Sequence, residues 1–308
     1  HIRIWSAPET LMVYAISGVL FGLAKTGAVL LQQLVLNISN DILNITFVVG
    51  LGLGVAGVAL GTLIAQWIDV AVGLWILASL FSLPNLLAGL RERGTWLLAS
   101  FRELFVVNGF IFVRTILLMT ALSIIMRVAG AIGTTEMAAS HVVMQYMLLI
   151  ALGLDGFAHA TEALAGSAWG ERNATAFRRW VRLTALWGLA ASGVYAVLFW
   201  LGGNAITALL TDIQAVRESV ELIMPLVIAL PVVAIACYQF DGVFIAATAG
   251  AAMLVTMAIA FAVYMLALGP LTDTWGLAGL WVAVLIFMAA RGIAQAAWYP
   301  RLVTQIQD

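Results

Sequence analysis

The sequence predicts an all-helical integral membrane protein, and three observations carry that reading. Of its 308 residues 64% are hydrophobic and only 9% charged, for a mean hydropathy of +1.08, far from the balance of a soluble domain. Apolar residues run on for long stretches rather than alternating, which argues against membrane strands. Third, the chain repeats itself: the stretch from Ser17 to Leu31 returns in altered form from Asp241 to Val255. Likewise Gly54-Val-Ala-Gly57 returns as Gly276-Leu-Ala-Gly279, so 222 to 224 residues separate two versions of one three-helix unit. Internal symmetry in so apolar a chain is a mark of membrane transporters built from repeats.

Dividing the chain at its charged or Gly/Pro-rich breaks gives nine segments long enough to cross a bilayer, at 8–24, 27–50, 53–81, 105–130, 135–167, 175–201, 219–247, 250–269 and 276–299. The first is short and opens at Pro8. The second carries a polar stripe of Gln33, Asn37, Asn40, Asp41 and Asn44, spaced to share one helical face. Amides so placed either bond neighbouring helices or line a cavity. Asp69 in the third segment is a lone carboxylate that would face another helix. The fourth contains Asn108 and one central arginine, Arg114.

Segment five has the densest polar set, with His141, Gln145, Asp155, His159 and Glu162 near one face. Gly153, Gly156 and Gly166 thin the same helix, which allows close approach of a neighbour or local unwinding at Asp155. A ladder that binds helices together is the bland reading; an ion-coupling role is the other, because an intramembrane carboxylate is expensive. Segment six opens on Arg178, Arg179 and Arg182, and segment eight is almost wholly apolar. Segment seven brings Tyr238 and Asp241, with Pro225 and Pro231 upstream as places to bend. Asp241 either couples ions or forms an ion pair with Arg114, and a pair that breaks and reforms could do both. Segment nine holds Arg291.

Segments one to three pair with seven to nine, whereas four to six have no partner in the chain. Their partners are expected before His1, in a twelve-helix, two-lobe protein with parallel six-helix repeats. The expected divisions are a partial N-terminal lobe at 1–81, a cytoplasmic linker at 82–104 and a C-terminal lobe at 105–308. Placing that linker inside collects Arg91, Arg93 and Arg102 there, together with Lys25, Arg172, Arg178, Arg179, Arg182 and Arg301. Only Arg3, Arg127 and Arg217 fall near the other face, a strong positive-inside signal. Trp96, Trp180, Trp275 and Trp298 lie near segment ends, as interfacial anchors do.

Other chemistries lack their signatures. The sequence shows no metal-ligand spacing, phosphate loop or nucleophile elbow, so an enzyme is not expected and no cofactor is implied. Nucleic acid is not an expected partner, because the basic residues read as topology signals. The single cysteine, Cys237, excludes an internal disulfide.

The run from Asn37 through Asn40, Asp41 and Asn44, the Gly54-Val-Ala-Gly57 turn, and Leu154-Asp155 through Glu162 to Gly166 together resemble the multidrug and toxic compound extrusion family, in its DNA-damage-inducible protein F branch. Asp241-Gly-Val-Phe and Asn108 with Arg114-Thr115 match the same branch. That resemblance implies a monomeric antiporter of the inner (plasma) membrane, which exports small organic and often cationic compounds in exchange for H+ or Na+. Alternating access between two lobes would move the substrate. Asp155, Asp241 and Glu162 are then the ion-coupling candidates. Asn37, Asn40, Asp41, Asn44, Asn108, Gln145, His159 and Tyr238 are the cavity candidates, and Arg114 is a pairing or switching residue. The family usually carries an aspartate where this chain has Asn44, which weakens a cation role for the first lobe. A flippase of a lipid-linked precursor would share the lobes but needs several central cations for a phosphate, and Arg114 alone is clearly central in the sequence.

Overall fold

The computed structural model describes residues 2–23, 25–81 and 98–307, and every regular element among them is helical. A 3-10 turn, Ile2–Ser6, leads into α1 (Ala7–Gly22). Helix α2 (Thr26–Asn44) continues as a π-helical turn, Ile45–Gly50, before α3 (Gly54–Leu80). Then come α4 (Leu98–Ile132), α5 (Thr134–Gly170), α6 (Ala174–Leu210), α7 (Gln214–Ala246) and α8 (Gly250–Gln307).

Seven helical stretches among the described residues are long and apolar enough to cross a membrane, where nine segments were expected. Two physical differences account for the gap. The polar stripe of α2 lowers its hydropathy, so it is not among the seven. Segments eight and nine are joined as α8, interrupted only at Gly276, whose φ of 55° and ψ of −127° break the helical path. Helices α5 and α6 have 37 residues each. At 1.5 Å per residue that is about 55 Å, well beyond a hydrocarbon core of about 30 Å, so their ends stand in the headgroup region or past it.

The chain divides into two compact units, residues 1–101 and 102–308. Most of the expected linker, including Arg91, Arg93 and Trp96, lies outside the described residues. In the first unit α1, α2 and α3 pack around Ile16, Leu20, Val29 and Ile76. The second unit has a larger core in which α5, α6 and α8 pack on α7, with Tyr146, Ile223, Leu230, Tyr264 and Trp281 buried. A second cluster gathers Phe177, Phe244, Met253 and Leu302.

Lipid gives helices no hydrophobic reason to associate, so small residues and hydrogen bonds must hold them together. Gly242 of α7 brings its backbone against the Ala158 carbonyl of α5, where any Cβ would collide. The Tyr146 hydroxyl donates to the Gly203 carbonyl at 2.6 Å, tying α5 to α6. Gln239 of α7 donates to Thr161 of α5 at 2.8 Å and to Thr184 of α6 at 2.7 Å, fastening three helices at one buried point. Helix α7 continues through Pro225 and Pro231, and α5 continues through Asp155 without unwinding there.

Turn geometry recurs at the interval of the sequence repeat. Leu23 and Ala247, 224 residues apart, cap α1 and α7 with the same φ of −87° and ψ of 5°. Lys25 N–H bonds Leu20 O at 2.9 Å, and Ala249 N–H bonds Phe244 O at 2.9 Å. Gly54 and Gly276, 222 apart, both have positive φ, 53° and 55°. Local backbone geometry is thus alike at these two pairs of positions.

Candidate functional site

The polar residues of the second unit converge on Asp241, near the end of α7. Its Oδ2 accepts from a guanidinium nitrogen of Arg114 on α4 and from one of Arg291 on α8, the latter at 2.7 Å. Its Oδ1 accepts from Nε2 of Gln295 at 2.7 Å. Arg291 and Gln295 lie one turn apart on α8, so one face of that helix supplies both donors. Arg291 is 5% exposed and its ring-side packing includes Phe287, whose centroid is 5.8 Å from the guanidinium carbon.

Asp155 of α5 lies within electrostatic reach of Asp241, Arg114, Arg291 and His159. Tyr238, one turn before Asp241, lies in the field of Asp155, Asp241 and Arg291. The two arginines and two aspartates therefore sum to zero net charge. Asp241 is committed to three donors. Asp155 is exposed on the unit's surface and joins the group by charge, with no direct hydrogen bond to it among the described residues. His159 Nδ1 stands 3.5 Å from Glu162 Oε2, one turn further along α5.

Other expected site residues stand apart from this group. Gln145 is half-buried on α5, ten residues before Asp155, and Asn108 is exposed on α4. Asn37, Asn40, Asp41 and Asn44 belong to the first unit, where Asn37 and Asp41 are exposed. Asn44 Nδ2 donates to Asn40 Oδ1 at 2.5 Å, and the Asn44 side-chain oxygen packs over Gly61 of α3. The hydrogen bond lies within α2, and the Asn44 oxygen completes none with α3 among the described residues.

Arg291, Gln295 and the Gln239–Thr161–Thr184 knot were not singled out in the sequence. Arg291, which the sequence places inside segment nine, joins Arg114 as a second central cation. The usable signal was the pair Arg291 and Gln295, four residues apart in an otherwise apolar helix, which needs an acceptor in the membrane.

Comparison with known proteins gives a consistent picture. The MatE family profile matches residues 111–271. The chain is 34% identical to DNA damage-inducible protein F of Escherichia coli (strain K12), over 98% of its own length and 65% of that protein. It is 28% identical to Protein DETOXIFICATION 42 of Arabidopsis thaliana, over 94% of its length and 55% of the relative. The chain thus spans less than two thirds of the curated relatives it matches. Among solved structures, a mutant of the Vibrio cholerae MATE transporter VcmN shares the fold with a TM-score of 0.87 at 18% identity, covering 99% of this chain and 68% of that one.

Proposed function

Because the chain belongs to the MatE family, we propose that the protein is a cation-coupled antiporter that exports small organic, often cationic compounds by alternating access across the plasma membrane. The supporting observation is the division of labour between two carboxylates in one charge-balanced group. Asp241 is held by Arg114, Arg291 and Gln295 and serves as the fixed counter-ion. Asp155, exposed and in the field of that hub, is the exchangeable one.

Exchange follows from the charge count. With Asp155 ionised the group is neutral, and an organic cation can approach that carboxylate. With Asp155 protonated the group carries a net positive charge and repels the same cation. Proton and substrate therefore compete for one carboxylate, and binding either disfavours the other, which is the reciprocal coupling that antiport requires. His159 and Glu162, one and two turns along α5 from Asp155, extend the acidic path, and Tyr238 borders it. Met144 and Met147 beside the stripe supply an adaptable apolar wall. Proton is the preferred coupling ion, and the bilayer and small organic substrates are the proposed partners of a monomer. Both central guanidinium groups are engaged by Asp241, which argues against a flippase that would need them free for a phosphate.

The test is efflux of an organic cation from vesicles containing the full-length protein, under an imposed proton gradient and then a sodium gradient. Asp155→Asn should abolish gradient-driven movement while the protein remains folded. Transport by that variant with unchanged pH dependence would remove Asp155 from the coupling role.

A further inference from the structure

The first unit holds a buried acidic group that the mechanism above does not use. Asp69 of α3 is 0% exposed, Gln32 of α2 is 1% exposed and Glu9 of α1 is 2% exposed. The three come from different helices and converge: Gln32 is the side chain beside the Asp69 carboxylate, and Glu9 is the like charge acting on it. Gln32 is also pressed over Gly73, one turn along α3, with Nε2 2.5 Å from where a Cβ would stand. Neither oxygen of Asp69 and neither polar atom of Gln32 completes a hydrogen bond among the described residues. Glu9 accepts one hydrogen bond, from the Thr10 hydroxyl at 3.2 Å. Among the residues whose side chains are described, which do not include Arg3, no Lys, Arg or His pairs with Asp69 or Glu9.

Two carboxylates in a dry interior cannot both remain charged and uncompensated. An amide sealed from water beside the Asp69 carboxylate, with neither of its polar atoms in a completed hydrogen bond, marks the same place as incomplete. The missing component is positive, because the orphaned atoms are mainly oxygen acceptors. The repeat sharpens this conclusion. The residue 222 positions after Asp69, at the interval separating Gly54 from Gly276, is Arg291. In the second unit that position holds a cation whose counter-ion, Asp241, also belongs to the chain. In the first unit the sign is reversed, and no described cation answers it.

We propose that Glu9, Gln32 and Asp69 form a binding site for one monovalent cation, a proton or an alkali ion such as sodium. An alkali ion would take carboxylate oxygens from Glu9 and Asp69 and the amide oxygen of Gln32, a hard, all-oxygen set. A proton would sit between the carboxylates or on Asp69, donating to Gln32 Oε1. The site is 12 residues along α2 from Asn44, or about 18 Å, and so is separate from the Asn40–Asn44 contact. It deepens the cation-exchange reading and rests on it for its use, while its existence is tested independently.

The experiment uses the full-length protein in lipid nanodiscs and has two arms. In the alkali arm, thermal unfolding is followed as sodium chloride replaces choline chloride at constant pH and ionic strength. In the proton arm, the infrared stretch of protonated carboxyl groups is followed against pH in sodium-free buffer. A saturable response in the first arm assigns an alkali ion, and a response confined to the second assigns a proton. Asp69→Asn should abolish the part of the response that persists in an Asp155→Asn background, and Gln32→Leu should weaken its apparent affinity roughly tenfold, as loss of one ligand to a charge does. Glu171→Gln, in the turn after α5, should leave it intact. No response in either arm, or a response unchanged in Asp69→Asn, overturns the site. Should Asp69→Asn fail to fold, Gln32→Leu and Glu9→Gln decide, and an unchanged response in both overturns it equally. Efflux measured on the same samples separates the two readings: cation binding without export overturns the exporter alone, and export without the response overturns the site alone.

Discussion

Asp241 shows how one side chain can fix three helices. Arg114 on α4 and Arg291 and Gln295 on α8 all donate to its two oxygens. Removing the charge strands two guanidinium groups in a low-dielectric interior, the costly way to break a buried pair. Asp241→Asn should therefore destabilise the protein by about 3–5 kcal/mol, read as a drop in thermal unfolding temperature in detergent. Adding Arg291→Met to that variant should recover a substantial part, since the replacement removes one orphaned charge. No recovery would mean that the hub acts through geometry rather than charge. Asp155 behaves differently at the same scale: it is exposed and unsaturated, so its neutralisation should spare stability and remove coupling.

Among the elements, α7 is the one on which the second unit is assembled. It touches α5 through Gly242 and Gln239, α6 through Gln239, and α8 through Asp241. Gly242→Val would drive a branched side chain into the Ala158 carbonyl, and overpacking of this kind costs about 1–3 kcal/mol or more where backbone cannot move. A thermal unfolding temperature equal to that of the wild type would show that α5 and α7 can separate freely. The helices themselves were legible because uninterrupted apolar runs leave the backbone one way to satisfy its polar groups in lipid. Their polar contacts were legible only in part. Arg114 and Asp241 stand out as charges in apolar segments, but Arg291 meets Asp241 across 50 residues of chain, and no local pattern encodes that meeting. Asp69 was legible as a carboxylate facing another helix, but its neighbours Glu9 and Gln32 were not, because they depend on α1 and α2 closing over α3. Gly153 and Gly156 allowed either close approach of a neighbour or unwinding at Asp155; Gly153 gives the first, admitting Tyr195 of α6, while Gly156 faces open space.

For the molecule as a whole, arginine placement sets a testable orientation. The turn at 171–173 between α5 and α6 lies beside Arg172, Arg178, Arg179 and Arg182, and the turn at 211–213 lies at the other end of α6. A membrane-impermeant maleimide should modify Arg172→Cys only from the cytoplasmic side and Thr211→Cys only from outside. Cys237 is fully buried and need not be removed for this experiment. The reverse pattern of labelling would invert the assigned topology. The Arg114–Asp241 contact also sets a timetable for biosynthesis. Its partners are 127 residues apart, so at roughly 5–20 residues per second Asp241 leaves the ribosome about 6–25 s after Arg114. Throughout that interval α4 presents an unpaired arginine to the insertion machinery, at a penalty of about 2.5–3.5 kcal/mol if it enters lipid alone. Arg114 therefore lacks its counter-ion until α7 has been made, and Arg291 arrives another 50 residues later to complete the hub. The charge hub of this unit is complete only once α8 has been made.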